Sequence, residues 1–247
     1  MTSQSPGTYR GGAVRGGMTT VGAIPAYRSV PEGEGPWPGM VLVHEIFGLD
    51  DSMRRHADRV AAMGYLVVAP DLFSRGGRAS CLKATFTALR RGGGPAFDDL
   101  DASRADLLAD PRCSGSVGVI GFCMGGAFAL VVAGQGGWGA ASTNYGMLPS
   151  DPSALDGACP VVATYGRRDH TLPGAAAKVE RALRARGIAH DVKEYPNAGH
   201  AFLNEVNNAP WYLAPVTHLV MNGGPEPVSA ADAWARIESF LAQHLTP

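Results

Sequence analysis

The segment Gly121-Phe122-Cys123-Met124-Gly125-Gly126 sets a thiol between glycines, where an apolar run gives way to a stretch of small residues. A strand that turns this sharply into a helix forces unusual backbone angles on its central residue, and flanking glycines provide the clearance. The turn also holds the sulfur over a helix N-terminus, where free N–H groups and the helix dipole favour a thiolate and an oxyanion. Attack of sulfur on a carbonyl is the chemistry this arrangement supports. The Met124 N–H is then one oxyanion donor, and the Ile46 N–H, from the loop after an earlier strand, is the natural second. A lone cysteine is more commonly a buried, inert thiol, so the reading depends on partners.

Two partners stand in the order that such a nucleophile needs, first an acid and then a base. The apolar run 161–166 leads into Arg167-Arg168-Asp169, and the alternating run 190–195 leads into Pro196-Asn197-Ala198-Gly199-His200. Gaps of 46 residues from Cys123 to Asp169 and 31 from Asp169 to His200 each leave room for one strand–helix unit. Asp169 would orient His200, and His200 would move protons at Cys123. Glu45 ends another apolar run in His44-Glu45-Ile46-Phe47-Gly48. It reads equally as a loop anchor, an ion-pair partner or a member of the site. His44-Glu45 lacks a second histidine four residues on and sits at a strand end, so no metal site is expected, and no cofactor.

The elements that must position these residues are legible from periodicity. Short apolar runs at 39–44, 66–70, 117–121, 141–145, 161–165 and 190–195 read as buried strands. Helical spacing follows from Ser52, with Met53, His56, Ala57, Val60 and Ala61 near one face, and over 97–109, 125–133, 174–186 and 230–244. Strands alternating with helices give an α/β class with a mostly parallel central sheet flanked by helices on both faces. Residues 1–35, rich in Gly and Pro, are expected to form an arm or a short edge hairpin, and 36–247 a single α/β domain. Two stretches break the rhythm. One is the basic, Gly-containing 75–95. The other is 203–228, which carries Trp211, Tyr212, Leu219 and Met221 and is expected to be a pocket wall, a lid or an interface.

Composition narrows the remaining classes. The chain has 247 residues, with 21 Lys+Arg balanced by 22 Asp+Glu, which gives no basic surface for nucleic acid. Its first 20 residues hold no apolar signal-like core, and the uncharged stretch 117–144 is too broken by glycine to span a membrane. Four cysteines without CxxC spacing suit a reducing compartment. The expectation is a cytoplasmic monomer or homodimer acting on a small molecule.

These motifs, with Gly64-Tyr65, Ala69-Pro70-Asp71-Leu72, Tyr165-Gly166 before Asp169, and Ala198-Gly199-His200-Ala201-Phe202, resemble the dienelactone hydrolase family of the α/β hydrolases over about residues 38–204. The resemblance implies the α/β-hydrolase fold and a Cys123–Asp169–His200 triad, with Glu45 as a carboxylate that contacts the nucleophile. It implies hydrolysis of a carboxylic ester or lactone through a thioester. An acyltransferase or pathway-specific enzyme using the same acyl-enzyme, and a non-catalytic thiol-sensing or binding protein, are the alternatives. Family members that act on dienelactones hold the substrate carboxylate with arginines, one of them four residues after the histidine. Asn204 occupies that position here, and Arg75, Arg78, Arg90 and Arg91 are the candidate replacements, with Arg78 placed in the substrate-binding set. Tyr145, Phe202 and Trp211 complete the candidate substrate-binding set.

Overall fold

The computed structural model describes residues 12–76 and 78–245, with the backbone alone at 78–82. In chain order the elements are β1 (Val14–Val21), β2 (Ile24–Pro31), β3 (Trp37–Val43), α1 (Asp51–Ala62), β4 (Leu66–Pro70), α2 (Arg78–Arg91), α3 (Pro95–Ala109), β5 (Cys113–Phe122) and α4 (Met124–Ala133). They continue with β6 (Ala141–Asn144), β7 (Val161–Gly166), α5 (Ala175–Ala185), β8 (His190–Tyr195), α6 (Ala214–Met221) and α7 (Pro227–His244).

The strands form one sheet in the order β1-β2-β4-β3-β5-β6-β7-β8. From β4 to β8 all neighbours are parallel, and the β1–β2 hairpin joins antiparallel to β4. The chain leaves β3 for β4 on one side and returns to β5 on the other. The loops after β3 and β5 therefore part from adjacent strand ends, the crevice where open α/β sheets bind ligands.

Both faces of the sheet are covered, which is why its central strands are continuously apolar. Val41 and Val43 of β3 enter a layer with Leu100 and Leu107 of α3, Phe128 of α4 and Val179 of α5. Met40 and Leu42 enter the opposite layer with Met53 and Val60 of α1 and Trp234 and Ile237 of α7. The Asp50 carboxylate accepts the Met53 N–H at 3.0 Å and so caps α1.

Three segments bear on the sequence reading. Residues 14–31 are the outer hairpin of the sheet, so the edge-hairpin alternative describes them better than an arm. Residues 78–91 and 214–221 are helices within stretches that read as loops. No residue of α6 is buried, so it has no inward stripe for periodicity to reveal. Among the described residues, no helix is long and apolar enough to cross a membrane.

Candidate active site

Strand register brings the candidate residues to one edge. Val43 pairs with Gly121, Phe122 with Asn144, and Gly166 with Tyr195. The residues just beyond these pairs are Glu45, Cys123, Tyr145, Asp169 and His200.

Cys123 lies between β5 and α4 with φ 55° and ψ −116°. A positive φ is uncommon away from glycine and is the strained geometry expected of a tight strand-to-helix turn. Its N–H donates to Asn144 O at 2.9 Å, and its carbonyl accepts from Gly126 N–H at 3.0 Å. The Asn144 carboxamide donates to Gly121 O at 3.1 Å and accepts from the Thr164 hydroxyl at 2.8 Å, tying three strands beneath the turn. Met124 begins α4, so its N–H has no carbonyl behind it in the helix. Ile46 is half-buried in the loop after β3, beside a turn closed by Gly48 N–H donating to Glu45 O at 3.0 Å.

His200 Nδ1 lies 2.5 Å from Asp169 Oδ2. The other carboxylate oxygen, Oδ1, accepts from the Thr171 N–H at 2.9 Å and its hydroxyl at 2.6 Å, which fixes the orientation of the acid. The His200 backbone is held from outside: its N–H donates to Met221 O and its carbonyl accepts from Gly224 N–H, both at 3.0 Å. The end of α6 thus clamps the histidine loop. His200 Nε2 is buried without a hydrogen-bond partner of normal geometry and is turned toward Cys123. Burial by itself lowers the His200 pKa, but the charge on Cys123 and the Asp169 hydrogen bond outweigh it, and the net shift is well upward. Burial likewise raises Asp169, and its bond to His200 reverses this to a net lowering. The pair favours imidazolium beside carboxylate.

Glu45 is 2% exposed. Burial pushes its carboxyl upward, and hydrogen bonds from Asn208 and Asn204 and the charge of His200 only partly offset this. Tyr145 is buried against it. Its hydroxyl completes no hydrogen bond of normal length, and burial, then the Glu45 and Cys123 charges, hold its pKa well above 10. His44 fixes the backbone of the same loop: Nδ1–H donates to Glu45 O at 2.7 Å, and Nε2 accepts from Leu72 N–H at 3.1 Å. Burial keeps this histidine neutral by lowering its pKa.

Cys123, His200, Glu45 and Ile46 line one pocket of about 30 Å³ together with Asn207, Asn208, Thr217 and Met221. The other expected substrate contacts fall elsewhere. Phe202 is fully buried behind Tyr145, ring centroids 5.7 Å apart, because the chain after His200 turns into the core. Asn204 is also buried, bonded to Glu45 and His56 rather than free to meet a substrate. Trp211 is 86% exposed on the outer surface and packs edge-on against Tyr212, because the turn before α6 faces away from the sheet. The Arg78 side chain lies outside the described residues.

Sequence reasoning passed over the contacts of Asn208 and His56, although a histidine on the apolar face of α1 was the available signal. His56 is 3% exposed, and its pKa is lowered from 6.5 to about 4, chiefly by burial. The sign follows from linkage: between those values the unfolded chain binds a proton that the folded one refuses. Stability is therefore complete above 6.5 and falls as pH drops toward 4, by up to about 3 kcal/mol from this residue. We expect His56→Gln to lose less stability than wild type between about pH 7 and about pH 4.5, measured by urea unfolding.

Residues 24–245 match the model of the Dienelactone hydrolase family. A provisionally named carboxymethylenebutenolidase of Methylorubrum extorquens is 32% identical over 241 residues, covering 90% of this chain and 78% of the relative. The carboxymethylenebutenolidase of Rhodococcus opacus is 28% identical, covering 84% of this chain and 81% of its own. A crystal structure of a provisionally named dienelactone hydrolase from Klebsiella pneumoniae superposes with a TM-score of 0.76 at 26% identity, over 94% of this chain and 99% of that one. With a mixed, mostly parallel sheet under that match, the chain belongs to the dienelactone hydrolase family, hydrolases of the α/β-hydrolase fold.

Proposed function

We propose that this enzyme hydrolyses a carboxylic ester or lactone through a thioester on Cys123, with His200 and Asp169 completing the triad. The observation that carries this reading is the Asp169–His200 hydrogen bond of 2.5 Å, with Nε2 left unpartnered toward a cysteine held at φ 55°. The names of the relatives favour a lactone among the candidate substrates.

The Cys123 thiolate attacks the carbonyl carbon, and the carbonyl electron pair moves to oxygen, where the Ile46 and Met124 N–H groups hold it. As the tetrahedral centre collapses, the carbon–oxygen bond to the leaving group breaks, and His200 Nε2 gives its proton to the departing oxygen. The product at this stage is a thioester, with an alcohol or an enol released or, in a lactone, still attached. Water then attacks the thioester as neutral His200 takes its proton, and carbon–sulfur cleavage returns the acid and the Cys123 thiolate. The Asp169 carboxylate keeps the imidazole in the tautomer both steps use and stabilises its charged form. The pocket of about 30 Å³ is walled by residues 207–209 and by Thr217 and Met221 of α6, so these segments bound what a substrate can occupy next to Cys123. That boundary assigns part of specificity to the strap at 207–209.

The test is direct observation of the intermediate. Brief reaction with p-nitrophenyl acetate, quenched in acid, is expected to leave an acetyl group on the Cys123 peptide by mass spectrometry. His200→Gln is expected to form it slowly and to lose it more slowly still. Continued turnover with no acetyl on Cys123 in either protein would overturn the reading.

A further inference from the structure

Behind Glu45, buried and half-buried polar side chains form a chain with a single direction. His56 of α1, neutral at neutral pH, stacks on Phe122 at 4.5 Å and places Nε2 2.8 Å from Asn204 Oδ1. A neutral imidazole facing a carbonyl oxygen carries its hydrogen on that nitrogen, so His56 donates. This fixes the Asn204 carboxamide with its NH2 on the opposite side. There the NH2 lies 3.3 Å from Glu45 Oε2, 3.4 Å from Glu45 Oε1 and 3.2 Å from Asn208 Oδ1. With its oxygen engaged, Asn208 turns its own NH2 to Glu45 Oε2 at 2.8 Å and to Asp50 Oδ2 at 3.0 Å. Each orientation is set by the one before it, and the donors converge on the carboxylate that lines the pocket with Cys123.

We propose that His56, Asn204 and Asn208 are positioning residues that orient the Glu45 carboxyl in the pocket it shares with Cys123 and favour its ionised form. The inference rests on the reading of Cys123 as the nucleophile. Burial favours the neutral acid, and the Asn208 and Asn204 hydrogen bonds act against it by replacing part of the water that the ionised form loses. The ionisable groups around Glu45 are Asp50, whose charge opposes its ionisation, His200, whose charge favours it, and Tyr145, which remains neutral, while Cys123 lines the same pocket. An anionic Glu45 opposes a second negative charge on the neighbouring sulfur, whereas a protonated Glu45 does not. Cys123 reactivity therefore reports the state of Glu45. The remaining ligand of the chain, Asp50, caps α1 through its other oxygen, so Asn208 also ties the strap at 207–209 to the helix that carries His56.

The test is the pH dependence of Cys123 alkylation by iodoacetamide, followed peptide by peptide, with half-buried Cys113 and Cys159 as internal references. Asn208→Ala removes the shortest donor, so Glu45 protonates at higher pH. The Glu45-dependent inflection is expected to move upward by about one pH unit, with faster Cys123 alkylation inside that interval. Asn208→Asp, nearly isosteric and adding a like charge, is expected to move it further. In a Glu45→Gln background, Asn208→Ala is expected to leave the profile unchanged, which a merely structural role would not predict. A reactive Cys123 whose profile ignores Asn208, or shifts equally in the Glu45→Gln background, overturns the positioning role alone. Cys123 alkylating no faster than Cys113 and Cys159 in wild type overturns the nucleophile reading, and the positioning role with it.

Discussion

Cys123→Ala is expected to reduce p-nitrophenyl acetate hydrolysis to the rate of free imidazole and buffer. The loss in kcat/KM should be about 10³-fold or more, equivalent to about 4 kcal/mol of transition-state stabilisation. Asp169, His200 and the two candidate oxyanion donors stay in place, so the loss isolates the nucleophile. Folding should be almost untouched. Cys123 is half-buried and its side chain fixes neither α4 nor β5, since the turn is held by backbone bonds to Asn144 O and from Gly126 N–H. Alanine meets a positive φ with the same Cβ as cysteine, so strain is unchanged. Activity at wild-type level in a folded Cys123→Ala protein would sink the thioester mechanism. Loss of activity with loss of the folding transition would show instead that the thiol is structural.

How far the sequence discloses such a site depends on how local its determinants are. Cys123, Asp169 and His200 each stand within a few residues of the strand that delivers them, so strand periodicity and chain order suffice to find them. Gly121 and Gly125 are legible for the same reason, as the steric demand they meet lies inside one turn. The chain behind Glu45 is not local: His56 meets Asn204 across 148 residues, and Asn208 meets Glu45 across 163. Nothing in the spacing of either asparagine announces that contact. Phe202 and Trp211 show a second limit. Residue type marks both as apolar surface to be buried, but the turn at Ala201, with φ 56°, sends Phe202 into the core, and Trp211 precedes a helix with no buried face. Such directions are set by tertiary packing, which composition does not encode.

Gly125→Ala is expected to be strongly destabilising, although helix propensity alone predicts a gain of about 1 kcal/mol for Ala over Gly. A Cβ at Gly125 would collide with the Val43 carbonyl oxygen, lie 2.6 Å from the Val43 carbonyl carbon and 2.8 Å from His44 O. All three are backbone atoms at the end of β3, a strand paired on both sides, so no side chain can rotate away. Relief requires α4 to move off β3, which opens the layer packed around Phe128 and Leu130. Overpacking of this kind costs about 3 kcal/mol or more, a large part of the about 5–15 kcal/mol by which a domain of this size is stable. Gly17, with open space at its Cβ position, is the matched control, and Gly17→Ala should unfold at the wild-type urea concentration. Gly125→Ala unfolding within about 1 kcal/mol of wild type would refute the argument. The same displacement carries a functional consequence. Met124 begins α4, while Glu45 and Ile46 continue from β3, so separating the two elements separates the two N–H groups assigned to one oxyanion. Any Gly125→Ala protein that folds should therefore be slower in acylation than its stability loss explains, because contact between α4 and β3 sets both the packing and the geometry of the proposed oxyanion hole.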